Sequence, residues 1–194
     1  DDPSAWIAYE RAAAPAWQCV SARVNQSLAA AGRSDRMAYL PAGLALANLV
    51  ETATRSGLAG VSGGSVRQTM DRLFSDDVHL TSAGSYMALV TYASVYRRSP
   101  VGAWAPSGVS AEQARSLQQA AWQSVSGHYN SATTPSMPQC QALMREQYCS
   151  AFVGYKGGSG LLERCIGRFS EQSQNNPFFY DAAADAAYWL PAPR

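Results

Sequence analysis

Residues 36–43 read RMAYLPAG. Met37, Ala38, Tyr39 and Leu40 form a short apolar run, and Pro41 stops it. A continuous apolar stretch bounded by a breaker reads as a buried strand entering a loop. Its flanks read as helix. Upstream, Trp17, Val20, Val24 and Leu28 recur at helical spacing, with Gly32 as a C-cap. Downstream, Leu46, Leu49, Val50 and Ala53 repeat the pattern as far as Gly57. One strand cannot make a sheet. Either Met37–Leu40 is not a strand, or its neighbours lie outside this chain, and we take the second reading. A short apolar strand between amphipathic helices is the pattern of an α/β layered fold, of which this chain is then the later half.

The rest of the chain is helical in pattern with few strands. GVSGGS, residues 60–65, is a loop, and Ser65 with Gln68 makes a capping box for a helix carrying Val66, Met70 and Leu73. After a short polar stretch, Thr81 or Ser82 caps a helix whose apolar positions are Tyr86, Leu89, Val90 and Ala93. Ser110 with Gln113 opens another, with Ala114, Leu117, Ala121 and Val125 on one stripe. SATTPSMPQ, residues 131–139, reads as a linker. Beyond it come two short helical patterns, one with Leu143 and Tyr148, the other with Leu161, Leu162, Cys165, Ile166 and Phe169. Two regions result: residues 1–129, and a Cys-containing helical extension at 130–194.

The chain is 47% hydrophobic and 15% charged, so it can bury a core. Fifteen basic residues against 14 acidic ones, with no basic strip, argue against nucleic acid as a partner. No apolar run reaches the roughly 18 residues of a membrane span. The opening DDPSAWIAYE is polar and lacks a start Met, which predicts that an upstream segment has been removed. Cysteines stand at 19, 140, 149 and 165. An even count fits two disulfides and a secreted or periplasmic home, with connectivity open. Cys19 stands apart from the others. It is free to pair with one of them, to bridge to another polypeptide, or to remain a buried thiol.

Residues 75–85, SDDVHLTSAGS, carry the chemistry. Asp76 and His79 are three residues apart, close enough on a tight loop for the carboxylate to hold one ring nitrogen and leave the other to act as a base. Asp77 is an alternative holder. The bland reading is a helix cap and a surface histidine. The stretch 74–102, FSDDVHLTSAGSYMALVTYASVYRRSPVG, resembles the C-terminal catalytic block of the SGNH (GDSL-like) hydrolases. There an Asp-x-x-His precedes a Leu or Pro, a Gly and a Tyr-bearing helix. AYLPAGLAL, residues 38–46, is similar to the late strand and turn before that block, and the resemblance runs over about residues 5–129. It implies a three-layer α/β/α sandwich, hydrolysis or transfer of acyl esters, His79 as general base, Asp76 as its orienting carboxylate, and no metal or organic cofactor.

The family's Gly-Asp-Ser block, which holds the nucleophile, has no counterpart in this sequence. Gly60-Val61-Ser62-Gly63-Gly64 satisfies GxSxG, but a nucleophile elbow needs a strand before the Ser, and here a helix end precedes it. Gly157-Gly158-Ser159-Gly160 lacks the Lys-Ser/Thr of a phosphate loop and reads as a turn. The expectation is therefore an Asp–His chain whose serine comes from an N-terminal portion of the same precursor, with an acyl ester as substrate. The competing expectation is a non-catalytic binding or structural module. Its aromatic tail (Phe178, Phe179, Tyr180, Tyr188 and Trp189) would then be either a recognition surface or the cover of its own core.

Overall fold

The structure is a computed structural model that describes residues 3–76, 79–102, 104–131 and 133–186. It is 66% helical. Helix α1 spans Pro3–Ala30, α2 Ala42–Ser56, α3 Val66–Leu73, α4 Ser82–Arg97 and α5 Ala111–Ser131. Then follow α6 at Met137–Leu143, a π-helical turn at Met144–Tyr148, α7 at Cys149–Lys156, α8 at Leu161–Arg168 and α9 at Ala182–Ala186.

The helix-rich expectation holds, and the sheet does not appear. Among the described residues the only β pairing is an isolated antiparallel bridge between Phe74 and Leu80. Met37–Leu40 carries no strand assignment, and Met37 is 45% exposed, not buried. The physical reason is local. A strand is made by its neighbours' backbone groups, and among the described residues the groups that bond to the Met37 backbone belong to a side chain. Asn25 donates from Nδ2 to the Met37 carbonyl (2.9 Å) and accepts from its N–H (2.7 Å).

Two compact units share the chain: residues 1–11 with 40–132, and residues 12–39 with 133–194. The first unit is built from the start of α1 and from α2 to α5. The apolar stripes meet as helical spacing requires: Leu46, Leu49, Val50 and Ala53 of α2, Tyr86, Met87 and Val90 of α4, and Leu117, Ala121 and Val125 of α5 are all buried. The Tyr86 hydroxyl accepts from Gln118 Nε2 at 2.7 Å, so this fully buried side chain takes its polar end into the core satisfied. Helix starts follow the expected caps. The Ser65 and Ser110 hydroxyls each accept from the N–H three residues on, at 3.1 Å.

The second unit centres on Ala16, Cys19, Ala22, Met137, Cys140, Met144 and Phe178. Both disulfides lie within it, Cys19–Cys140 and Cys149–Cys165. Cys19 is thus neither a bridge to another polypeptide nor a free thiol. Closing a loop of 121 residues removes on the order of 5 kcal/mol of unfolded-state entropy in the chain-entropy picture. Phe178 is 2% exposed and covers this core, the structural role foreseen for the aromatic tail. Tyr188 and Trp189 lie outside the described residues. Asn176 sets the loop that brings Phe178 in. It donates to the Phe169 and Glu171 carbonyls and accepts from the Phe178 N–H. Part of the supposed linker is helical: Ser136 and Gln139 form a reciprocal capping box that starts α6.

Candidate functional site

The loop between α3 and α4 is built outward from its two ends. At Leu73 the backbone leaves α3, and the Leu73 carbonyl accepts from the Thr81 N–H at 2.9 Å. Phe74 bridges to Leu80 and is fixed from behind by Trp6, edge to face with ring centroids 5.4 Å apart. The Thr81 hydroxyl donates to the Arg72 carbonyl (2.7 Å) and accepts from the Gly84 N–H (3.2 Å), so one side chain ends α3 and begins α4. Gly84 is required at that crossing, because a Cβ there would collide with the Leu73 carbonyl oxygen.

Inside this closed loop both backbone groups of His79 are engaged. Its carbonyl accepts from the Ser75 N–H at 2.9 Å and from the Ser75 hydroxyl at 3.2 Å. Its N–H donates to Asp76 Oδ1 at 2.7 Å. The second carboxylate oxygen of Asp76, Oδ2, lies 2.7 Å from His79 Nδ1. The structure thus brings together the two residues singled out from the sequence. Asp77, the alternative holder, lies outside the described residues.

The electrostatics follow from this geometry. A carboxylate only accepts, so the neutral ring places its proton on Nδ1 and presents Nε2 as a lone pair. Protonation of Nε2 creates an imidazolium whose charge faces Asp76. The His79 side chain is 76% exposed and that of Asp76 55%, and among the described residues Nε2 makes no hydrogen bond. Chemically, the arrangement can take one proton and return it. Solvent screening keeps its contribution to stability small.

Ser62 is not placed for nucleophilic attack. Its hydroxyl donates to the Ala53 carbonyl at 2.8 Å and accepts from the Leu58 N–H at 2.5 Å, closing the C-terminus of α2. No strand precedes it, as an elbow would need. Gly157–Gly160 is the turn between α7 and α8, with Gly157, Gly158 and Gly160 at positive φ. Among the described residues no group of three His, Cys, Asp or Glu side chains could hold a metal ion, and no helix is long and apolar enough to cross a membrane.

One surface feature escaped the sequence reading. Leu89, Tyr92 and Tyr96 form a stripe on the outer face of α4, and all three are exposed, Tyr96 at 79%. Tyr92 and Tyr96 stack, with ring centroids 6.4 Å apart. Leu89 is one of the apolar positions of this helix, and helical spacing alone does not distinguish which of two apolar stripes faces inward. No family model, no curated protein and no solved structure matches this chain.

Proposed function

We propose that this chain carries the Asp–His half of an acyl-ester hydrolase of SGNH type, and that a serine on an N-terminal portion of the same precursor completes the site. The observation that supports this reading is the Asp76 carboxylate bound to His79 Nδ1 at 2.7 Å, with Nε2 unengaged among the described residues on an exposed ring. A serine hydroxyl brought to within hydrogen-bond reach of Nε2, roughly 2.6–3.2 Å, gives up its proton as its oxygen attacks the ester carbonyl carbon. The imidazolium is held by Asp76 and returns the proton to the departing alcohol. Water then repeats the cycle on the acyl-enzyme and releases the acid. If another alcohol replaces that water, the same groups carry out acyl transfer. The oxyanion donors come from the serine-bearing portion. Two disulfides fit an oxidising compartment, and secretion or the periplasm is part of this proposal.

The test is a fluorophosphonate probe applied to the native protein with whatever chain accompanies it. The reading expects label on a serine outside residues 1–194, and expects His79→Ala to slow labelling by about 100- to 10,000-fold. Labelling that ignores the loss of His79 overturns it. A second reading, a non-catalytic binding module, is favoured by the exposed stripe on α4. It expects no labelled serine in any associated chain.

A further inference from the structure

Where α2 packs on α5, two rows of uncharged polar side chains line one groove above the core. Asn48 and Thr52 stand one turn apart on α2. Ser116, Gln119 and Gln123 follow one stripe of α5. The groove holds about 340 Å³, at the small end of small-molecule sites, which run to roughly 300–1,000 Å³. Its floor is apolar: Leu49 is buried, and Leu58 and Ala120 are half-buried. Among the described residues no charged side chain lines it, although Glu51, Arg55 and Arg115 stand on the same two helices. Its hydrogen-bonding groups are largely unspent. Among the described residues the side chains of Thr52, Ser116, Gln119 and Gln123 make no hydrogen bond. Asn48 Nδ2 donates to the Ser124 hydroxyl oxygen at 3.0 Å. Ser124 is only 8% exposed, and that bond leaves it its own O–H and leaves Asn48 its Oδ1. A buried donor without an acceptor is costly to keep.

We propose that this groove binds a neutral sugar unit. The Asn48–Ser124 pair offers one donor and one acceptor. A ligand hydroxyl both donates and accepts, so one such group satisfies both halves of the pair. A carboxylate only accepts and an ammonium only donates, so each leaves one half unmet. The other free groups of the groove share this double character, because hydroxyls and carboxamides donate and accept. The apolar floor suits the C–H face of a sugar ring, and the polar rows suit its hydroxyls. Other ligand classes find less here. Nucleic acid needs cations at its phosphates, and the groove offers none. Recurring modes of peptide recognition use a sheet edge, an apolar or aromatic groove, or an arginine cluster, and none of these lines this site. The groove shares no residue with the Asp76–His79 loop, so it stands or falls apart from the proposed hydrolysis.

The test is nitrogen–proton NMR of the full chain, with glucose, galactose, mannose and N-acetylglucosamine titrated singly to tens of millimolar. At least one sugar should bind saturably and shift the side-chain amide signals of Asn48, Gln119 and Gln123 together. Ser124→Ala should weaken that sugar roughly tenfold. Gln119→Ala and Gln123→Ala, at exposed positions where folding is not at stake, should each weaken it roughly threefold. If Ser124→Ala melts too low to titrate, the two exposed variants carry the test. N-acetyl-trialanine amide and adenosine, a neutral peptide and a neutral nucleoside, should leave the same signals in place. A panel in which no sugar moves these signals overturns the proposal. So does sugar binding indifferent to both exposed variants, or a stronger response to the peptide or the nucleoside.

Discussion

Asp76 receives two hydrogen bonds from one residue, His79, whose backbone N–H and ring Nδ1 each lie 2.7 Å from a different carboxylate oxygen. The backbone bond fixes the carboxylate, and the carboxylate then fixes the ring. The tautomer is therefore set before any partner arrives. Nitrogen-detected NMR of the His79 ring at a pH where it is neutral should show the proton on Nδ1. Asp76→Ala should shift the population toward the Nε2–H form that a free imidazole prefers, with the helical content unchanged. An Nε2–H ring in the unmodified protein contradicts the assigned geometry.

Ser62→Ala removes a hydroxyl that satisfies one backbone donor and one backbone acceptor at the end of α2. The expected cost is about 1–3 kcal/mol in urea denaturation. Fluorophosphonate labelling of the native protein should not change. Loss of labelling in this variant would make Ser62 the nucleophile after all.

Gly84→Ala places a methyl group against the Leu73 carbonyl oxygen, a backbone atom that also accepts from Thr81. It cannot step aside without opening the loop. A loss of about 3 kcal/mol or more is expected, together with disturbed NMR signals from His79. An unchanged denaturation midpoint would be incompatible with so tight a crossing.

Glu10 is half-buried beside Gly43, and burial raises its carboxyl above the ordinary value, opposed by a hydrogen bond from Trp6. A raised acid binds its proton more tightly in the folded state. Its contribution is therefore present below the unfolded-state value and is lost as the pH rises through the folded one. Glu10→Gln keeps an acceptor for Trp6 and removes the charge. It should melt higher than the unmodified protein at pH 7, and the advantage should vanish at pH 4 and below. The same advantage at both pH values would assign the effect to packing.

Peptide mapping without reduction should recover Cys19 linked to Cys140 and Cys149 linked to Cys165. Reduction should destabilise the unit that holds both bridges, by about 8 kcal/mol in all in the chain-entropy picture. Hydrogen exchange should then rise around Met144 and Phe178, well before it rises around Leu49 and Leu117, which lie in the other unit.

What could be read in advance was whatever depends on neighbours in sequence. The α5 stripe of Ala114, Leu117, Ala121 and Val125 is buried at every position. The Ser65, Thr81 and Ser110 caps are where local hydrogen bonding puts them. The Asp76–His79 pairing was legible because it closes over three residues. What depended on distant neighbours was not legible. MAYL has the composition of a core strand, yet among the described residues it is the side chain of Asn25, twelve residues away, that meets the Met37 backbone. Leu89 belongs to a helix with apolar residues on two sides, and its spacing does not say which side is covered. Cysteine positions carry no connectivity. The Ser136 capping box was hidden in a Ser-, Thr- and Pro-rich stretch that resembles linker.

The crossing at Gly84 has a consequence for finding kin. Only a residue without a side-chain carbon fits there, and its distance from the imidazole is set by one cap and one turn of backbone. Any relative that keeps this crossing must therefore keep the glycine, with Thr, Ser or another capping residue three positions before it. The glycine is imposed there by excluded volume and not by ancestry alone.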